Sequence, residues 1–171
     1  MDFFETLGKR RSIRGYDPTK PVSGADIEKI LESVRSAPSA GNLQPFKVVV
    51  VKSKEAVAVL QSSTSQAFIS QAPVSFVFCV DSSCFKERYG DRGKNLYAIQ
   101  DTAIACAYAQ LAATALGLSS IWVGAFDEVK VSRVLRIPEN LRPVAILPVG
   151  YPSAEPTPYS RKPLEEIVVR L

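Results

Sequence analysis

The chain has 171 residues, of which 46% are hydrophobic, 22% charged and 9% aromatic, and its net charge is +4 from 21 Lys and Arg against 17 Asp and Glu. That length buries a full core without metal or disulfide staples, and the basic residues are interleaved with acids such as Glu28, Glu32, Asp127 and Glu128 rather than gathered into a nucleic-acid footprint. The sequence contains no histidine, which removes Ser-His-Asp and Cys-His nucleophiles, histidine-ligated zinc and histidine general bases; chemistry must rest on other side chains or arrive with a cofactor.

Phe3, Phe4 and Leu7 form one apolar face of a short first helix, which Gly8 is expected to end. Ser23-x-x-Asp26 signals a helix start, Ile27, Ile30, Leu31 and Val34 follow at helical spacing, and Pro38 closes that helix. Phe46–Val51, bounded by Pro45 and Ser53, reads as a buried strand, Lys54–Leu60 as a short helix and Val74–Val80 as a second strand. Residues 81–95 are polar and glycine-punctuated, which predicts a lid-like loop and the main candidate for substrate cover.

Ala98–Leu116 is the longest helix and is apolar nearly all round, so it needs burial on most faces, part of it from a second subunit. Gln100, Asp101 and Gln110 within it argue against a membrane span, and Gly117 suits its C-terminal cap. Ser119–Val123 reads as a third strand, Asp127 as the cap of a helix carrying Val131, Val134 and Leu135, and Val144–Val149 as a fourth strand closed by Gly150-Tyr151-Pro152. Pro156, Pro158 and Pro163 keep the tail extended, and Leu164, Ile167, Val168 and Val169 make its end too apolar to stay uncovered. The total is an α+β fold, a sheet between helices, in one domain spanning 1–171. Cys79, Cys84 and Cys106 show no C-x-x-C spacing and are expected to be reduced thiols in a cytoplasmic protein with no membrane or metal partner.

Three segments carry candidate chemistry. Arg10, Arg11 and Arg14 flank Ser12; three guanidiniums so close repel one another unless an anion compensates, and phosphate suits their bidentate donors, although a solvated basic turn is the plain alternative. Pro38, Gly41 and Pro45 enforce an irregular backbone around Asn42 and Gln44, whose amides could read the edge of a planar heterocycle. Gly124 stands where a strand gives way to a helix, where the missing side chain lets a backbone N–H approach a ligand.

In this order, Arg-Arg-Ser-Ile-Arg, Pro-Ser-Ala-Gly-Asn-Leu-Gln-Pro-Phe, Gly-Leu-Ser-Ser-Ile-Trp-Val-Gly-Ala-Phe-Asp, Arg-Pro-Val-Ala-Ile-Leu-Pro-Val-Gly-Tyr-Pro and Ser-Arg-Lys-Pro-Leu-Glu-Glu-Ile-Val resemble the nitroreductase family of FMN-dependent oxidoreductases across nearly the whole chain. The resemblance implies a compact nitroreductase-like fold, a central mostly antiparallel sheet flanked by helices, in a homodimer that shares its FMN sites. It implies that Arg10, Ser12 and Arg161 hold the FMN phosphate, that Arg14 faces flavin N1 and O2, and that Arg11 contacts the ribityl or pyrimidine edge. Pro38, Ser39, Ala40 and Asn42 correspond to a loop lent by the other subunit, and Gly124 and Ala125 to backbone near flavin N5. Larger members often carry a carboxylate where Gly124 stands, and often Trp where Phe46 stands.

The activity so implied is a two-step exchange in which NAD(P)H reduces FMN and a small nitroaromatic, quinone or similar acceptor is then reduced, with the flavin and no side chain carrying the reaction. Two other readings stay open: a specialised relative that dehalogenates or fragments flavin with oxygen, and a non-catalytic flavin- or nucleic-acid-binding module. Neither the acceptor nor the choice between NADH and NADPH is written in the sequence, which has no Gly-rich dinucleotide fingerprint.

Overall fold

A computed structural model describes residues 1–171. At its centre is an antiparallel sheet of β1 (Phe46–Val51), β2 (Val74–Asp81), β3 (Ser119–Ser120) and β4 (Leu141–Gly150), in the order β1-β2-β4-β3. Around it lie α1 (Phe3–Lys9), α2 (Gly24–Arg35), α3 (Lys54–Ser62), α4 (Gly90–Arg92), α5 (Ala98–Ala115) and α6 (Glu128–Val134).

The two-residue period of a strand splits the core into two layers. Val74, Phe76 and Phe78 of β2 pack with Ile27, Ile30 and Val34 of α2 and with Ala105, Cys106, Ala109 and Ala113 of α5. Val77 and Cys79, one residue out of phase, face Val57 and Leu60 of α3, Ile69, and Val131 of α6. β2 and β4 are therefore covered on both faces, which is why their sequences read as near-continuous apolar runs. Local capping sets the helix starts: the side chains of Ser23, Ser53 and Asp127 accept from the backbone N–H groups of Asp26, Ala56 and Lys130.

Several elements differ from their sequence reading. Gly8 lies inside α1, which runs on to Lys9 with Arg10 as its C-cap, and a capping box between Asp2 and Glu5 fixes its start. Only Thr6 of α1 is buried, while Phe3, Phe4 and Leu7 are exposed, Phe4 by 80%. β3 is two residues long; the ladder to β4 lapses after Ser120 and returns as a single bridge between Val123 and Ile146.

Residues 81–95 are not a loop. A 3-10 turn (Ser82–Phe85), α4 and a π-helical turn (Gly93–Tyr97) run directly into α5. Packing drives this: Phe85 is fully buried, and the Tyr89 and Tyr97 rings meet edge to face with centroids 5.5 Å apart. Both Phe85 and Tyr89 lie on Gly93, where an added Cβ would come within 2.6 Å of Tyr89 Cβ and 2.7 Å of Phe85 Cδ1. The tail from residue 157 onward is exposed throughout, with Leu164 and Ile167 uncovered and Val169 85% exposed.

Candidate functional site

The arginine-bearing segment is stitched to the free edge of β3: Ile13 N–H donates to the Ser120 carbonyl at 3.2 Å, and Ser12 and Ser120 form a parallel bridge. Just beyond, Asp17 N–H donates to the Tyr151 carbonyl at 2.9 Å and Ser153 N–H to the Gly15 carbonyl at 3.1 Å. These bonds hold the chain leaving β4 alongside the arginines, and Arg161 on that tail lies close enough to Arg10 for the two charges to interact.

Partial burial, then the like charges of Arg161 and Arg11, hold the Arg10 guanidinium below its ordinary pKa. None of Arg10, Arg11, Arg14 and Arg161 has a carboxylate within salt-bridge reach; the six ion pairs of the chain lie elsewhere. Arg11 Nη1 donates instead to the carbonyls of Gly8 (2.6 Å) and Arg10 (2.8 Å). The cluster is thus a set of positive charges whose repulsion a bound anion would relieve. Beside it Ser12, Arg14, Gly15, Thr157 and Tyr159 line a cleft of about 240 Å3, smaller than the roughly 300–1,000 Å3 usual for a ligand pocket.

Gly124 and Ala125 are exposed and follow the Val123 bridge on the same sheet edge. A Cβ on Gly124 would meet nothing nearer than Trp122 Nε1 at 3.4 Å, so the chain's own packing does not require glycine there.

Pro38, Ser39, Ala40, Asn42 and Gln44 precede β1 in a loop where Gly41, Asn42 and Gln44 all have positive φ (58°, 57° and 48°). Internal bonds hold these strained residues. Gln44 N–H donates to Ser39 Oγ at 3.0 Å, and Gln44 Nε2 to Asn42 Oδ1 at 3.0 Å. The two amides therefore partly satisfy each other, which leaves fewer groups for a ligand than their count suggests. Ala40 N–H donates to Asp101 Oδ2 at 3.0 Å, and Pro38–Ala40, Tyr97, Asp101 and Ile104 border a cleft of about 640 Å3.

The structure brings Arg10, Arg11, Ser12, Arg14, Gly124, Ala125 and Arg161 to the β3 side of the sheet, and Pro38–Gln44 to the β1 side. β1 and β3 are the two edges, roughly 14 Å apart at three strand spacings. Along the strands Phe46, after the loop, is level with Val80 and Arg142, whereas Ser120, bridged to Ser12, is level with Val149 at the other end, and Val123, just before Gly124, is level with Ile146 between the two.

Sequence reasoning did not single out Asp101, which bonds the loop at Ala40, or Arg88, which bonds it at Gly41. Asp101 is 5% exposed on an otherwise apolar face of α5; burial raises its pKa, opposed by the bond from Ala40 N–H. A lone acid in an apolar helix was the available signal. Arg88 Nη1 donates to the Gly41 carbonyl at 3.1 Å, and the i, i+4 spacing of Arg88 and Arg92, with Tyr89 between, was the cue there.

Comparisons with known proteins follow this geometry. A family model described as the Nitroreductase family matches residues 7–71 and 57–151. The chain is 30% identical over 189 residues to an NADH dehydrogenase of Thermus thermophilus, covering 94% of this chain and 92% of that one. It is 30% identical over 180 residues to an FMN reductase [NAD(P)H] of Bacillus subtilis, covering 97% and 72%. A solved nitroreductase family protein of Clostridium difficile 630 superimposes with a TM-score of 0.85 at 37% identity over 99% of this chain and 98% of that one.

Proposed function

The chain belongs to the nitroreductase family and has its fold, and on that premise we propose that this NAD(P)H-dependent flavin oxidoreductase holds FMN between two copies of itself and reduces nitroaromatic, quinone or similar small acceptors. The observation that carries the reading is the cluster of Arg10, Arg11 and Arg161, drawn together without a carboxylate. That donor set fits a phosphate-bearing cofactor: guanidiniums offer bidentate donors, and Ser12 adds a neutral one. Bound there, FMN supplies hydride acceptance from NAD(P)H and electron delivery to the acceptor.

The chain's own groups bind and orient. Arg10, Ser12 and Arg161 hold the phosphate, Arg11 the adjoining polar chain, and Arg14 places positive charge beside the ring. Gly124 and Ala125 offer exposed backbone close to the reacting edge. From the second copy, Pro38, Ser39, Ala40, Asn42 and Gln44 complete the site, their strained backbone fixed in advance by the Ser39 and Asp101 bonds. No side chain is assigned a proton transfer, which accords with a chain free of histidine. The enzyme works in the cytoplasm, where its three free thiols stay reduced.

Reconstitution tests this directly. Purified protein should take up FMN, show the flavin absorption band, and oxidise NADH or NADPH with menadione or a nitroaromatic in parallel-line initial-rate patterns. Arg10→Ala should weaken FMN binding by about 1.5–3 kcal/mol, the worth of a charged hydrogen bond. Wild-type protein that binds no FMN sinks the reading; unchanged FMN affinity in the variant removes Arg10 from the site.

A further inference from the structure

We infer that Arg88 and Arg92 read the anionic group of the molecule that lies on the flavin, so that the site favours ligands carrying a phosphate or carboxylate over neutral ones of the same reactivity. The inference rests on the reading of the Pro38–Gln44 loop as a wall of the partner's flavin site. Arg88 belongs to that wall: its Nη1 donates to the Gly41 carbonyl at 3.1 Å. Tyr97, which borders the cleft beside Pro38–Ala40, accepts from Arg92 Nε at 3.0 Å through its hydroxyl. One guanidinium is thus bonded to the loop itself and the other to a residue bordering its cleft.

Their geometry suits anion recognition. The Arg88 guanidinium carbon lies 5.4 Å from the Tyr89 ring centre and that of Arg92 5.5 Å from the Tyr97 centre. Stacking of this kind steadies a guanidinium without consuming its donors, and each arginine makes only one hydrogen bond within the chain. Both residues are exposed. Neither has an ion pair, although Glu87 and Asp91 are close in sequence; Asp91 is instead 3.8 Å from Lys94. Burial of Phe85 and the close fit at Gly93 pack the backbone of the short helical segment that carries both charges.

The anion could be a phosphate of the reductant or a carboxylate of the acceptor, and steady-state kinetics on the FMN-loaded enzyme separate the two. One arm compares NADH and NADPH with the uncharged 1-benzyl-1,4-dihydronicotinamide; the other compares 4-nitrobenzoate with nitrobenzene. Arg92→Ala should lower kcat/KM for the charged member of at least one pair on the order of tenfold, about 1.4 kcal/mol at a charged contact. It should leave the neutral member and the FMN dissociation constant within twofold, and Arg92→Lys should recover part of the loss. Arg88→Ala should lower the same ratio. Equal losses for charged and neutral members, or none, overturn the inference while FMN binding still stands; absence of FMN binding in the wild type overturns the reading beneath it.

Discussion

Asp101 pins Ala40 through one hydrogen bond yet keeps its carboxyl in surroundings that disfavour charge. Its folded pKa lies above its ordinary value because burial outweighs the Ala40 N–H bond. A carboxyl shifted this way adds stability while protonated and loses it as pH rises through the folded pKa. Asp101→Asn keeps an acceptor for Ala40 N–H and removes the charge. The variant should therefore melt higher than wild type near pH 7, with the difference shrinking as pH falls towards about 4, the ordinary range of the acid. Thermal scans across that range check it; a gain that grows on acidification would contradict the assignment. The acid is thus a cost carried at a position that fixes the loop.

The segment from Ser82 to Tyr97 depends on one position of closest approach. At Gly93 any side chain would collide with Phe85 and Tyr89, and Phe85 is fully buried and cannot swing aside. Gly93→Ala should cost about 1–3 kcal/mol, the usual price of overfilling a packed site, seen in urea melts as a lower midpoint with an unchanged slope. This segment also shows where sequence reading stops. Ser23 and Asp127 announced their helices because capping is local, and Val74–Val80 announced β2 because a short, near-continuous apolar run after Pro73 suits a strand covered on both faces. The polar surface of residues 81–95 hid a helical path fixed by three aromatic rings and one glycine. Similarly, the grouping of Arg10 and Ser12 with Arg161 was suggested only by resemblance to a family, and Asp101 was not suggested at all, because its partner Ala40 lies 61 residues away in the chain.

Across the whole molecule, large apolar side chains are left uncovered on several elements. Phe3 and Phe4 on α1, Ile104 and Tyr108 on α5, and Ile167 and Val169 on the tail are all exposed. The proposed pairing is expected to cover them. Light scattering should give a particle of twice the 18.6 kDa chain mass. Deleting residues 164–171, none of which is buried within the chain, should move it towards that single-chain mass and weaken FMN binding, with the far-UV spectrum of the fold retained. A full-length chain that scatters as a monomer, with FMN bound, would refute the shared site.

The placement of the arginines and the Pro38–Gln44 loop at opposite corners of one sheet has a genetic consequence. In the proposed dimer, each flavin site would draw its arginines from one copy and its loop from the other. A chain defective only in the arginines and a chain defective only in the loop are each inactive as homodimers. Mixed in one cell, they assemble pairs in which one site collects both defects and the other collects none. Two null alleles of this gene would complement each other, and the restored activity would be capped at half because every mixed pair spends one site to save the other.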